Sequence, residues 1–363
     1  MRYRSTALSL LMGLALMFLS SAALAQYHLH NLSSNQVGKA LHTDPLIVNA
    51  WGLVHGPGTP WWVSDNNSGW STLYDGGGNA NQHLKVLIPT AGSGLGNGAG
   101  SAAGNNGPGS PTGVVFNNSS DPSEFQIGGW QSFFLFATID GTISGWAPQS
   151  NFNSALIAVD NSASKASYTG LAITNRASDN RLYAADTANN KIDVYDGNFT
   201  PVVHAGAFTD PNIPAGFSVF GIQDINGAVY VTYAAVPSGS GGFVDEYTEE
   251  GVLVSKTKPL ISGAPLNQPW GIALAPKNFG PLSSTLLVTN NINQNGTINA
   301  FNPNTGQFVG TVRDASTGKP IFIDQLWGIG FGDGMGRNGA PNALFFTAGP
   351  SNNLAGTFGV ITF

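Results

Sequence analysis

Short apolar runs with a glycine in second place recur along the chain: Trp51-Gly52-Leu53-Val54, Thr112-Gly113-Val114-Val115, Thr169-Gly170-Leu171-Ala172, Phe220-Gly221-Ile222, Trp270-Gly271-Ile272-Ala273 and Trp327-Gly328-Ile329-Gly330. The glycines lie 61, 57, 51, 50 and 57 residues apart, slightly more than the ~50 residues of a kelch-type blade. Each copy continues into a second apolar run that ends in small polar residues, as in Trp61-Trp62-Val63-Ser64-Asp65, Leu182-Tyr183-Ala184-Ala185-Asp186 and Leu286-Leu287-Val288-Thr289-Asn290. A third run follows, and its alternation suits a half-buried strand: Lys191-Ile192-Asp193-Val194-Tyr195 is one example and Thr297-Ile298-Asn299-Ala300-Phe301 another. Asn, Asp and Gly separate the second and third runs, which predicts tight hairpins.

Each copy therefore reads as a small antiparallel meander that buries its faces only by stacking on its neighbours around an axis. The pattern predicts an all-β, six-bladed propeller of four-stranded antiparallel blades. Copies one to five each offer a fourth strand, such as Leu84-Lys85-Val86-Leu87-Ile88, whereas the sixth ends at Phe363 after three. Tyr27 to Leu32 is the orphan strand, expected to complete the last blade from the other end of the chain. Four stretches lie outside the repeat: a loop over 91–110, an insertion over 119–130, a long outer strand with its connection over 149–166, and a glycine-rich turn over 331–341.

The N-terminus changes the compartment. Arg2 and Arg4, an apolar stretch from Leu8 to Leu19 and the small residues through Ala25 match a secretory signal cleaved after Ala25. The apolar stretch is short of the roughly 20 residues a bilayer core requires, and no later segment reads as a span. Residues 1–25 are thus expected to be a signal peptide, and 26–363 a single propeller domain in the periplasm or outside the cell. The chain has no cysteine, so its stability must come from packing.

Charge and composition remove several partners. Only 9% of residues are charged, and loss of Arg2 and Arg4 moves the formal charge from −6 to −8, which argues against nucleic acid. With 48 glycines and 21 prolines the chain is rich in turns, while 42% hydrophobic residues supply a core that disordered chains lack. A monomer is expected.

The motifs Gly113-Val114-Val115-Phe116-Asn117, Asp140-Gly141-Thr142-Ile143-Ser144-Gly145-Trp146, Gly206-Ala207-Phe208-Thr209-Asp210-Pro211, Pro269-Trp270-Gly271-Ile272 and Phe345-Phe346-Thr347-Ala348-Gly349 span most of the chain. As a set they resemble an uncharacterised family of exported bacterial proteins associated with PEP-CTERM sorting, whose fold is similar to NHL-type propellers. The resemblance implies a propeller and export, and it supplies no activity. This chain departs from the pattern at Asn290 to Gly296, at Pro350 to Ala355 and in ending at Phe363 without a sorting helix.

In a propeller the start of the inner strand and the turn between second and third strands open on one face, where ligands bind. That places Trp51, Trp270 and Trp327 near Asp65, Asn66, Asp140, Asp186, Asn290 and Asn291. One reading is a polar funnel rimmed by aromatics for a small molecule, a glycan or an envelope or matrix protein. The other is tryptophans packed between blades and Asp and Asn side chains capping turns. No metal or cofactor is required. Calcium is the metal that oxygen ligands suit, held by Asp65 and Asp186; the spacing of Asn291, Asn293, Asn295 and Gly296 copies a calcium loop only in part, with Asn302 where a bidentate Glu belongs. The six histidines do not recur at one repeat position, and no nucleophile elbow or phosphate cradle is present. The sequence thus leans to a non-catalytic binding or scaffold propeller using its channel mouth, with a calcium-assisted, lactonase-like hydrolase or lyase as the alternative.

Overall fold

The computed structural model describes residues 27–93, 108–255 and 257–363. The expected signal peptide and most of the glycine-rich 91–110 loop lie outside the described residues. Six sheets follow one another round an axis, with the inner strand of each against the inner strands of its neighbours. The inner strands are Ala50–Val54, Pro111–Phe116, Tyr168–Ile173, Phe217–Ile225, Pro269–Leu274 and Leu326–Phe331. Each begins one of the repeats, and no α-helix occurs among the described residues.

The ring closes as expected. His28–Ser34 pairs antiparallel with Thr357–Thr362, from His28 opposite Thr362 to Ser34 opposite Thr357, so the two chain ends share the sixth blade. A short parallel strand, His42–Thr43, adds a fifth member at its outer edge.

The repeat glycine has a steric cause. A Cβ on Gly52 would meet Thr112 O at 2.4 Å, on Gly113 Leu171 N at 2.4 Å, on Gly221 Trp270 O at 2.1 Å and on Gly271 Trp327 O at 2.5 Å. Each glycine lets the inner strand of the next blade approach within backbone contact. In blades one, two, four, five and six the strand pairing also shifts register across the glycine. In blades four, five and six a threonine of the second strand accepts the freed N–H: Gly221 N donates to Thr232 Oγ1 at 2.8 Å, Gly271 N to Thr289 Oγ1 at 2.8 Å and Gly328 N to Thr347 Oγ1 at 3.0 Å. Thr289 then donates to Trp327 O at 2.9 Å, and Thr347 donates to Trp51 O, tying each blade to the next. Blades two and three make the same tie from the inner strand, where Thr112 donates to Tyr168 O and Thr169 to Phe220 O.

Aliphatic and aromatic clusters fill the seams between blades, and each seam draws on two neighbouring sheets. One expectation fails in the third blade. It has three strands, Tyr168–Ile173, Leu182–Asp186 and Lys191–Tyr195, and no fourth. The returning chain makes one bridge, Tyr195 with Pro201, and leaves the sheet after Val202, because Pro201 removes an edge donor and the glycine at 206 starts a new turn.

Candidate functional site

Of the two readings left open for the three tryptophans, the packed one describes the structure: they fill the axis. Trp51 stacks on Trp327 with ring centroids 3.7 Å apart and 20° between planes. Trp270 stands edge-on to both, at 6.1 Å from Trp51 and 5.8 Å from Trp327, and Phe220 completes the plug. All three are buried. Blades five, six and one supply the tryptophans. Two residues before each is an amide residue in the left-handed region, Asn49 at φ 52, Gln268 at φ 51 and Gln325 at φ 49. Its carbonyl accepts the N–H just past the second strand, at Asn66, Asn291 and Gly349 respectively. Trp327 Nε1 donates to Asn49 Oδ1 and Trp270 Nε1 to Thr169 O, whereas Trp51 Nε1 is buried without a partner.

The polar residues expected beside them are engaged by nearby turns or by the start of the next blade. Asp186 accepts from Ser167 N, Asn189 N and Asn189 Nδ2. Asp140 accepts from Ser110 N, and Asn290 binds Asn267 N and Pro265 O. Asn66 reaches Pro111 O and accepts from Asn49, and Asn291 reaches Leu326 O. Asp65 is fully buried in blade one, where Thr72 Oγ1 donates to it at 2.7 Å. Burial pushes its carboxyl well above the ordinary range, against the Thr72 bond. Asp65 and Asp186 belong to blades one and three and share no contact, so the arrangement does not fit a calcium ion between them. Among the described residues no three His, Asp or Glu side chains converge to hold a metal.

The open cavity lies on the axis at the opposite end, where the inner strands finish. It has a volume of about 880 Å³ and takes wall residues from all six blades. Its throat, about 30 Å³, is ringed by the residue after each repeat glycine: Leu53, Val114, Leu171, Ile222, Ile272 and Ile329. That is room for about one water, and Trp270 of the plug closes the throat behind it. Apolar wall comes from every blade, but the acids and amides Asn118, Asn175, Gln223, Asp224, Asn226 and Glu249 come from blades two to four, with His55 of blade one a further polar side chain in the lining. Among the described residues no lysine or arginine lines the funnel itself, but Arg176 pairs with the lining Glu249.

Asp224 is the polar group with most to gain from a ligand. Oδ1 accepts a long bond from Gly227 N, at 3.4 Å, and Oδ2 is buried with no partner. Burial raises its carboxyl above the ordinary value, with Gly227 N and the Arg176 guanidinium pulling the other way. Across the mouth, three blades away, His55 is already engaged. Nδ1 lies 3.1 Å from Gly56 O and 3.6 Å from Asp333 Oδ2, and Nε2 lies 2.9 Å from Phe331 O. Its ring stands edge-on to Trp61 at 4.6 Å. The sequence did carry a signal for this site. Aligned on the repeat glycine, the next positions are apolar in most copies, and Gln223 and Asp224 break those columns.

No family model matches the chain. It is 31% identical over 233 residues to "Uncharacterized protein R640" of Acanthamoeba polyphaga mimivirus, an alignment covering 60% of this chain and 42% of that protein, so it spans less than half of that relative's length. It is 29% identical over 372 residues to "Uncharacterized protein R648" of the same virus, covering 93% and 81%. A solved streptogramin B lyase superposes with a TM-score of 0.52 at 15% identity, covering 94% of this chain and 99% of that one. What is shared is a six-bladed propeller. At such identity the likeness concerns fold alone, and these relatives give no support to the resemblance to an exported bacterial family.

Proposed function

We propose that this propeller is a binding protein that takes a small amphipathic amine in its axial funnel, without catalysing a reaction on it. The two-sided funnel carries the reading: aliphatic wall from six blades, with acids and amides gathered on one sector. An apolar body gains about 25 cal/mol for each Å² it removes from water. An ammonium head supplies the partner that the buried oxygen of Asp224 lacks, whereas Glu249 on the same side is already paired with Arg176. A hydrolase or lyase needs a group free to move a proton. Both ring nitrogens of His55 face main-chain carbonyls, so it is poorly placed to act as a base, which favours binding without chemistry. The order of basic, apolar and small residues before Ala25 supports binding outside the cytoplasm.

Calorimetric titration with n-octylammonium and n-octanol separates head from tail. Octylammonium is expected to bind at least tenfold more tightly, about 1.4 kcal/mol, and Asp224→Asn to abolish that preference while leaving octanol unchanged. Equal affinity for the two probes, or no binding of either, overturns the reading.

A further inference from the structure

The third blade ends in a strand with no fourth strand beside it, met by the returning chain only near Tyr195, and that edge borders a cavity of about 530 Å³. Along Lys191–Tyr195 the main-chain groups alternate between the neighbouring strand and the outside. Val194 O accepts from Val202 N at 2.8 Å, which fixes residues 192 and 194 as the outward ones. The N–H and C=O of Ile192 therefore point away from the sheet, and neither has a partner among the described residues. Every other blade covers its third strand, by two residues at Val86–Leu87 and up to seven at His28–Ser34.

Part of the cavity is lined by an ion-paired cluster of Arg176, Arg181, Asp179, Glu249 and Glu250, and the two faces of the edge strand differ in chemistry. Ile192 and Val194 pack with Ala207 and Phe208 in the seam toward blade four. On the other face, Tyr168 donates to Asp193 at 2.8 Å, Asn161 holds both Tyr168 and Tyr195 through their hydroxyls, and Lys191 pairs with Asp193 at 2.6 Å. The lysine head is thus drawn onto its own strand, and does not guard the edge as edge lysines commonly do.

We infer that this edge is a docking slot for an extended segment of a partner polypeptide, added as the missing fourth strand of blade three, with apolar side chains facing Phe208 and polar ones facing Lys191 and Asp193. Strand addition uses free edge N–H and C=O groups for affinity and alternate side-chain walls for selection. Both are present, together with the space that a fourth strand occupies in the other blades. The inference is independent of the funnel reading, since none of its main-chain groups lines the funnel.

The probe is a fluorescein-labelled heptapeptide, Thr-Val-Thr-Val-Glu-Val-Thr, with a second peptide carrying proline at the central valine. The first is expected to bind below about 1 mM and the second at least tenfold more weakly. Binding should slow amide exchange at Ile192 and Val194. Ile192→Pro deletes an N–H that the sheet does not use, so peptide affinity should fall at least tenfold. Octylammonium titration of that variant shows whether the funnel persists. Exchange in the unsubstituted protein decides the matter if the proline variant does not fold. No binding, equal binding of both peptides, or protection elsewhere than at Ile192 and Val194 overturns the inference.

Discussion

A methyl group on Gly221 would stand 2.1 Å from the carbonyl oxygen of Trp270, in the next blade. The oxygen belongs to the main chain and the methyl is fixed to its Cα, so neither can swing aside. Gly221→Ala must push two blades apart, at a cost of about 1–3 kcal/mol or more for overpacking. Gly310→Ala is the control, because its nearest neighbour would lie 3.5 Å away in ordinary contact. Urea unfolding should show a lower midpoint for the first variant and almost no change for the second.

Thr289 joins blades five and six through one hydroxyl, accepting from Gly271 N and donating to Trp327 O. Thr289→Val keeps the shape and strands two buried main-chain groups. The expected loss is about 2 kcal/mol or more. Thr289→Ser keeps the hydroxyl and should recover most of it. A serine variant as unstable as the valine one would mean that the methyl, and not the tie, matters.

The ring depends on its closing strand. Removing His28–Ser34 exposes the whole edge of Thr357–Thr362, which those residues pair with over their length. The shortened chain should lose its cooperative thermal transition, since an open ring leaves both seams of the last blade unsupported. A single transition at an unchanged midpoint would show that the closure contributes little.

Burial, with the carboxyl of Asp210 close by, pushes Asp245 up to about 7. Its Oδ2 has no partner, and Oδ1 accepts from Leu260 N at 3.2 Å. Because the folded value lies above the unfolded one, the folded chain holds the extra proton between about pH 4 and 7. The stability from this group is complete at the acid end and is lost as pH rises toward 7. Asp65, raised in the same direction, adds to the trend. Melting temperature should therefore fall from pH 5 to pH 8. Asp245→Asn should flatten that fall and become relatively more stable as the pH rises, by on the order of 4 kcal/mol at most. Parallel curves for the two proteins would remove Asp245 as the cause.

Much of this architecture is legible in the chain because it is periodic. The six glycine-second runs mark the inner strands, the runs after them mark the second and third strands, and the shortage of a fourth strand after Phe363 points to the N-terminal residues that supply it. Blade three misled the reading because residues 196–216 carry enough apolar side chains for a strand; that Pro201 and the turn beyond it carry them off the edge is a matter of path. The sequence left two readings of the site open for a related reason. Trp51, Trp270 and Trp327 are two residues past a left-handed amide, and whether rings at that position line an opening or close it depends on how far apart three blades hold them.

The sequence by itself determined the number of blades, the place of each inner strand and the strand that closes the ring, since these follow from local period and from the tally of strands in each repeat. Only the tertiary structure decided which end of the axis is open, which acid is left without a partner and which blade shows a bare edge. Those depend on distances between side chains and main chain that are dozens to hundreds of residues apart, and a repeat pattern carries no measure of such distances. A pattern fixes which face of a strand is buried, whereas the size of the gap between six strands meeting at one axis is set by all of them together.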